Sequence, residues 1–279
     1  MSEPTDFGVP PLRELEVSGE QARRLAAVLD DPAGPELAPG RPLPALWHWA
    51  LGTPETSTTM LGPDGHPRLP SCGPAAGFPR RMWAGGRVEV HRPLLIGAPA
   101  LRETSVLRAE RKTGRSGRLL VVTLRHVYTQ HDATAIEEEQ DLVYREPGAP
   151  VPAPEGGHSE PAPPGGWAER AEAGPVMLFR FSAVTFNAHR IHYDAAYARD
   201  VEGYPGLVVQ GPLTALLLAE SARRRTGREI AGFSFRASAP LFADAPFTLT
   251  GRPAEPDVEL RAVRGDGQVA TAATARLAG

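Results

Sequence analysis

The stretch that decides the fold is "GPLTALLLAESARRRTG", Gly211 to Gly227. Pro212 stands at an early helical position, three arginines fill the last turn, and Gly227 supplies a stop. Leu213, Leu216, Leu217 and Ala219 spread apolar surface over a wide arc. A helix of that kind belongs inside a core rather than on a surface. Four short strand patterns follow it: "AGFSFRASAP", "PFTLTGRPA", "DVELRAVRG" and "QVATAATARLAG", with the turn "RGDGQ" predicting a tight hairpin between the last two. A buried helix followed by an antiparallel meander places this region in the α+β class.

Working outward, the first half runs in a similar order. "SGEQARRLAAVLDD" is predicted to be a helix capped by Ser18, with Ala22, Leu25, Ala26 and Leu29 at helical spacing. A long Pro/Gly-rich stretch leads to "GRVEVHRPLLIG", "ALRETSVLRAERKTG", "GRLLVVTLRHVYTQ" and "TAIEEEQDLVYRE", all read as strands. The breaks "KTGRSG" and "HDAT" join the last three as a meander. Between the halves lies a segment dense in proline, glycine and alanine with no apolar period, read as a linker. The expected domains are 1–146, a linker at 147–175, and 176–279. "PVMLFRFSAV", Pro175 to Val184, is read as strand-like.

The composition narrows function. Of 279 residues, 41% are hydrophobic and 23% charged, enough for a packed core. A net charge of −3 argues against a nucleic-acid binder that works by neutralising phosphates. With Cys72 the sole cysteine, no internal disulfide forms. "RLPSCGPAAGF" carries no nucleophile motif around it. The N-terminus lacks the pattern of a secretion signal, and no apolar run approaches the roughly 20 residues of a membrane span. The expected location is the cytoplasm, with no membrane or nucleic-acid partner.

The polar residues concentrate in "TFNAHRIHYD", Thr185 to Asp194. His189, His192 and Asp194 form H-x-x-H-x-D, ligand types known from two-His-one-carboxylate sites. Such sites usually take a ligand from a distant element, and alternation along the chain splays His189 away from the other two. No metal is expected. His189 is read as structural. His192 draws more notice, because Asp194 is placed to cap a short helix in "YDAAYA" and a glycine-rich approach to the buried helix follows. The N-terminus of that helix offers backbone N–H groups to an oxyanion.

The run "FSAVTFNAHRIHYDAAYARDVEGYPGLVVQGPL" resembles the signature of MaoC-like acyl-thioester hydratases and dehydratases. That family implies a double hotdog, each half a curved antiparallel sheet around a central helix. On this resemblance Asn187 falls on the catalytic aspartate, His189 on an asparagine, Arg190 on a proline and His192 on the catalytic histidine. Asp194 falls on the following aspartate, and Gly211 on the glycine that opens the helix. The motif form, together with "FPRRMWAGGRVEVHRPL" in the first half, is similar to a subgroup that includes 3-methylfumaryl-CoA hydratases and type 2 hydroxyacyl-thioester dehydratases. The resemblance implies reversible hydration of an enoyl thioester, a short branched dicarboxylic acyl-CoA among the candidates. It implies no cofactor beyond the coenzyme A or acyl-carrier pantetheine carried by the substrate. A non-catalytic thioester-binding subunit and a thioesterase are the alternatives.

Asn187 departs from the family pattern. An amide orients water but takes no proton at neutral pH. Proton transfer then falls to His192, whose unperturbed pKa is about 6.5. On that basis hydration falls as pH drops through this value, and a rate flat from about pH 5 to 8 points to another base. The oxyanion and substrate-binding set is assigned to Gly211, Gln210, Arg190, Tyr204 and Gly206. In the first half, His48 in "WHWALG" has no acid or asparagine at matching spacing. That half is read as a degenerate hotdog lending pocket walls, with Trp83 either wall or core. Arg80 and Arg81 are read as a solvated face before a substrate anion site. The two halves satisfy their pairing within one chain, as a monomer or a homodimer.

Overall fold

The computed structural model describes residues 12–32, 34–53, 55–68, 75, 77–114, 117–154, 156–157 and 159–279. Cys72 lies outside the described residues. Ten strands form one antiparallel sheet: β1 (Leu12–Glu16), β2 (Arg80–Val90), β3 (Pro99–Gly114), β4 (Gly117–Gln130), β5 (Ala133–Arg145), β6 (Trp167–Ala171), β7 (Ile230–Ala237), β8 (Phe247–Ala254), β9 (Asp257–Arg264) and β10 (Val269–Leu277). Among the described residues four α-helices accompany them: α1 (Gly19–Leu29), α2 (Pro175–Val184), α3 (Ala195–Asp200) and α4 (Gly211–Thr226).

The strand order is β1-β3-β4-β5-β2-β7-β10-β9-β8-β6. Read inward from either edge, the two halves have the same pattern, 1-3-4-5-2 and 6-8-9-10-7. The chain is therefore an internal duplication joined through β2 and β7, in agreement with the double-hotdog expectation. The join depends on "WAGG". A register shift falls between Trp83 and Gly85, and β2 then pairs with β5 on one side and β7 on the other. A Cβ on Gly85 would lie 2.6 Å from Phe235 O, and one on Gly86 2.6 Å from Glu139 O. Only glycine allows both neighbours to approach so closely.

Helix α4 is the central helix of the second half. It packs on β7 to β10 and on β2. Leu213, Leu216 and Leu218 are fully buried. Gly227 closes it at φ 66° with its N–H on Arg223 O. The predicted hairpins also form: His131 and Asp132 turn β4 into β5 with positive φ, and Gly267 (φ 80°) turns β9 into β10.

The structure corrects three expectations. "PVMLFRFSAV" is the helix α2, with Gly174 as N-cap and Pro175 in its first turn. A short, uniformly apolar run has no usable period, and the Gly-Pro start was the better signal. The segment read as linker ends in β6, the edge strand of the second half, where Trp167 donates from Nε1 to Ser221 Oγ on α4 at 2.9 Å. Finally, α1 is not a central helix. It follows β1 as α2 follows β6, and these two helices pack on each other. Among the described residues the first half has no counterpart of α4. A 3-10 turn at Trp47–Ala50 reaches its strands instead, with His48 edge-on to Tyr128 of β4 at 4.9 Å between ring centroids. Trp47 Nε1 also donates to the buried Glu220 of α4 at 2.8 Å, tying the halves together.

Candidate active site

A cavity of about 840 Å³ opens between the lobes. Both halves line it. His192, Asn187, Gln210, Gly211 and Tyr204 come from the second half, and His66, Arg81, Trp83 and His48 from the first. Gly206 does not line it. Neither does Arg190, whose guanidinium pairs with Asp194 at 2.7 Å and lies over the Tyr197 ring at 4.1 Å. The sequence reading puts Arg190 in the substrate-binding set; an i,i+4 pairing with Asp194 holds it away from the cavity.

His192 sits at the end of a 3-10 turn, Arg190–His192, just before α3. As expected, Asp194 caps α3, its Oδ1 accepting from Tyr197 N at 3.0 Å. His192 Nδ1 lies 2.7 Å from Val208 O. A carbonyl only accepts, so Nδ1 carries the proton and Nε2 keeps its lone pair. Burial pushes the imidazole down to about 4, with the neighbouring His66 adding to the effect and the Val208 hydrogen bond opposing it. His192 is thus a neutral acceptor across the physiological range.

Facing the same cavity is the N-terminus of α4. Gln210 is its N-cap, but no side chain caps it. Gln210 Nε2 instead donates to Leu178 O and Ser182 Oγ on α2, both at 3.0 Å, and its buried Oε1 has no partner. Gly211 therefore presents an open helix start to the cavity. A Cβ there would lie 3.1 Å from Trp83 O, so a larger residue would crowd β2. Asn187 Oδ1 accepts from His189 N at 3.1 Å, which leaves the NH2 group to act on the site as a donor.

Sequence reading missed a loop from the first half. A tight turn at residues 62–66 lies against the 187–189 turn, with Arg190 N donating to Asp64 O at 2.8 Å and Arg190 Nη1 to Pro63 O at 3.1 Å. Arg190 is a clamp for this loop. His66 stacks near His189 with centroids 4.1 Å apart, and His189 meets His192 edge-on at 5.3 Å. His189, read as structural, lines the cavity between them. Burial, then the charges of His66, His192 and Arg81, hold His189 far below the usual imidazole range. Asp64, His66 and His189 bring ligand-type atoms within 4.8 Å of one another. The charge of Arg81, which acts on both imidazoles, works against a cation there.

His48 does have an acid partner, Glu138 of β5, at 3.1 Å. Trp49 Nε1 donates to the same carboxylate at 2.9 Å. The partner is 90 residues away and on another element, beyond any spacing rule. Arg80 is not solvated: it pairs with Glu202 at 3.0 Å. Arg81 lines the cavity, its guanidinium 5.8 Å from the centroid of the Tyr144 ring. Trp83 is both wall and core, packed edge-on against Trp49 at 5.0 Å.

A neutral imidazole acceptor and an open helix start thus share one cavity. The family model for hydroxyacyl-thioester dehydratase type 2 matches residues 46–243. The chain belongs to that family. It is similar to the mesaconyl-C(4)-CoA hydratase of Chloroflexus aurantiacus, 50% identical over 260 residues, covering 93% of this chain and 92% of that one. A MaoC-like dehydratase from Phytophthora capsici superposes with a TM-score of 0.70 at 14% identity, covering 96% of each chain. A Mycobacterium tuberculosis protein described as a double hotdog superposes at 0.53 and 14% identity, covering 95% of this chain and 94% of that one. Among the described residues no helix is long and apolar enough to cross a membrane.

Proposed function

We propose that this type 2 dehydratase adds water reversibly across the double bond of an enoyl thioester, with His192 as the base. The observation that carries the reading is the tethered His192 tautomer, its bare Nε2 sharing one cavity with the open start of α4. Water bound at His192 Nε2 gives up a proton as its oxygen bonds to the β carbon. The π electrons move onto the thioester oxygen, where the Gly211 N–H stabilises the enolate. The imidazolium returns the proton to the α carbon. Elimination is the reverse. No redox or metal group takes part, and the pantetheine arm is a portion of the substrate.

The substrate is a short branched dicarboxylic thioester of the mesaconyl type. In such a molecule a carboxylate hangs from the carbon that receives water. Arg81 lines the same cavity as His192 and supplies the guanidinium that meets that carboxylate. Both lobes supply walls, so one chain holds one complete site, in the cytoplasm. The test is incubation with crotonyl-CoA and mesaconyl-type CoA esters, followed by absorbance and mass. Gain of one water supports the reading. Release of coenzyme A marks a thioesterase, and no reaction marks a binding subunit.

A further inference from the structure

A water molecule attacks with an oxygen lone pair, so both of its hydrogens need acceptors. His192 Nε2 accepts one. Asn187 Oδ1 already takes the His189 N–H and keeps one lone pair, and its NH2 group can only donate. Its NH2 group would donate to the water and tie up the lone pair that must attack. The carboxylate that the resembled motif has at this position would have been the second acceptor.

We propose that His66 Nε2 is that second acceptor, a catalytic group delivered by the first half, and that Asp64 is its positioning residue; the inference rests on the hydratase reading above. Asp64 grips His66 twice. Its Oδ1 accepts the His66 backbone N–H at 3.2 Å, and its Oδ2 lies 3.1 Å from Nδ1. A carboxylate only accepts, so Nδ1 carries the proton and Nε2 is the acceptor. The loop is seated by Arg190, and Gly65 makes the contact possible: at φ 89°, a Cβ there would lie 1.8 Å from Ala188 O. His66 lines the same cavity as His192 and Asn187.

The groups facing His66 are Asp64 on its own loop, Arg81 on β2, and His189 and His192 on the facing turn. Burial and Arg81 push the imidazole down while Asp64 holds it up, so it is neutral when an acceptor is needed. In the step, the water bridges His192 and His66. The O–H bond to His192 breaks as the oxygen bonds to the β carbon. The O–H directed at His66 stays intact and becomes the product hydroxyl.

Steady-state kinetics on the full chain with crotonyl-CoA and a mesaconyl-type thioester test this. His66→Leu is expected to lower kcat on the order of 10²-fold by releasing the water, with KM changing far less. His66→Gln, whose amide oxygen accepts a hydrogen bond, is expected to recover part of that loss. Asp64→Asn is expected to move the acid limb of kcat/KM to lower pH, since the carboxylate raises the proton affinity of His66. A purely structural loop would lower the melting temperature and leave the limb in place. His66→Leu near wild-type kcat beside an inactive His192→Gln would overturn the proposal and leave the hydratase reading standing. A wild-type chain that hydrates neither thioester would overturn both. Should His66→Leu fail to fold, the Asp64→Asn limb decides: unmoved, it refutes the role of His66.

Discussion

His192 should make the stability of the fold depend on pH in a way that catalysis does not enter. The folded imidazole is held at about 4, against 6.5 for the ordinary side chain. Below pH 6.5 the unfolded chain takes up a proton that the buried ring refuses until pH nears 4. Stability is therefore complete above 6.5 and declines as pH falls toward 4. Each pH unit in that window costs about 1.4 kcal/mol for one such group, so the whole window is worth about 3 kcal/mol. Urea melts of wild type and His192→Gln between pH 7 and 4.5 isolate it, because the glutamine does not titrate. The stability of wild type relative to the variant should shrink steadily with acid. Parallel curves would mean that His192 is not held neutral, and the tautomer argument would fall with it. The same depression moves the acid limb of hydration. A rate flat from pH 5 to 8, which an unshifted histidine would not give, is the expected result with His192 as base.

Replacing His192 with alanine should cost on the order of 10² to 10⁴ in kcat with the fold retained by circular dichroism. Arg81→Met should raise KM for the mesaconyl-type thioester by about 10- to 100-fold, the loss of a charge-assisted hydrogen bond, and affect crotonyl-CoA far less; equal effects on both would remove Arg81 from carboxylate recognition. Gly65→Ala should push the 62–66 loop off Ala188 and lower kcat on the order of 10²-fold, a change visible in kinetics before thermal melts. Leu216→Ala should lower unfolding free energy by about 2 to 5 kcal/mol, measured by urea titration, because this leucine is fully buried in α4.

What the sequence disclosed follows from how local each signal was. Helix α4 announced itself through Pro212, its apolar width and Gly227, all within one element. The strands of both meanders were legible for the same reason, and so was the Asp194 cap. "PVMLFRFSAV" failed because a ten-residue apolar run satisfies either period, and α1 was misassigned because nothing in its own residues says which sheet, if any, it will lie on. The turn that carries His192 was picked out through a motif contiguous in sequence. Its partners were not. His48 and Glu138 meet across 90 residues, and Asp64 and His66 reach the site through a turn held against Arg190, more than 120 residues away. The first half reads as degenerate for want of a second polar cluster, yet its loop at residues 62–66 places His66 in the wall of the cavity. Asn187 then ceases to be a defect in the motif. Exchanging Asn187 for Asp tests whether a carboxylate at that position and the Asp64-backed His66 are alternatives: with His66 in place the added carboxylate should yield little, and in His66→Leu it should restore activity.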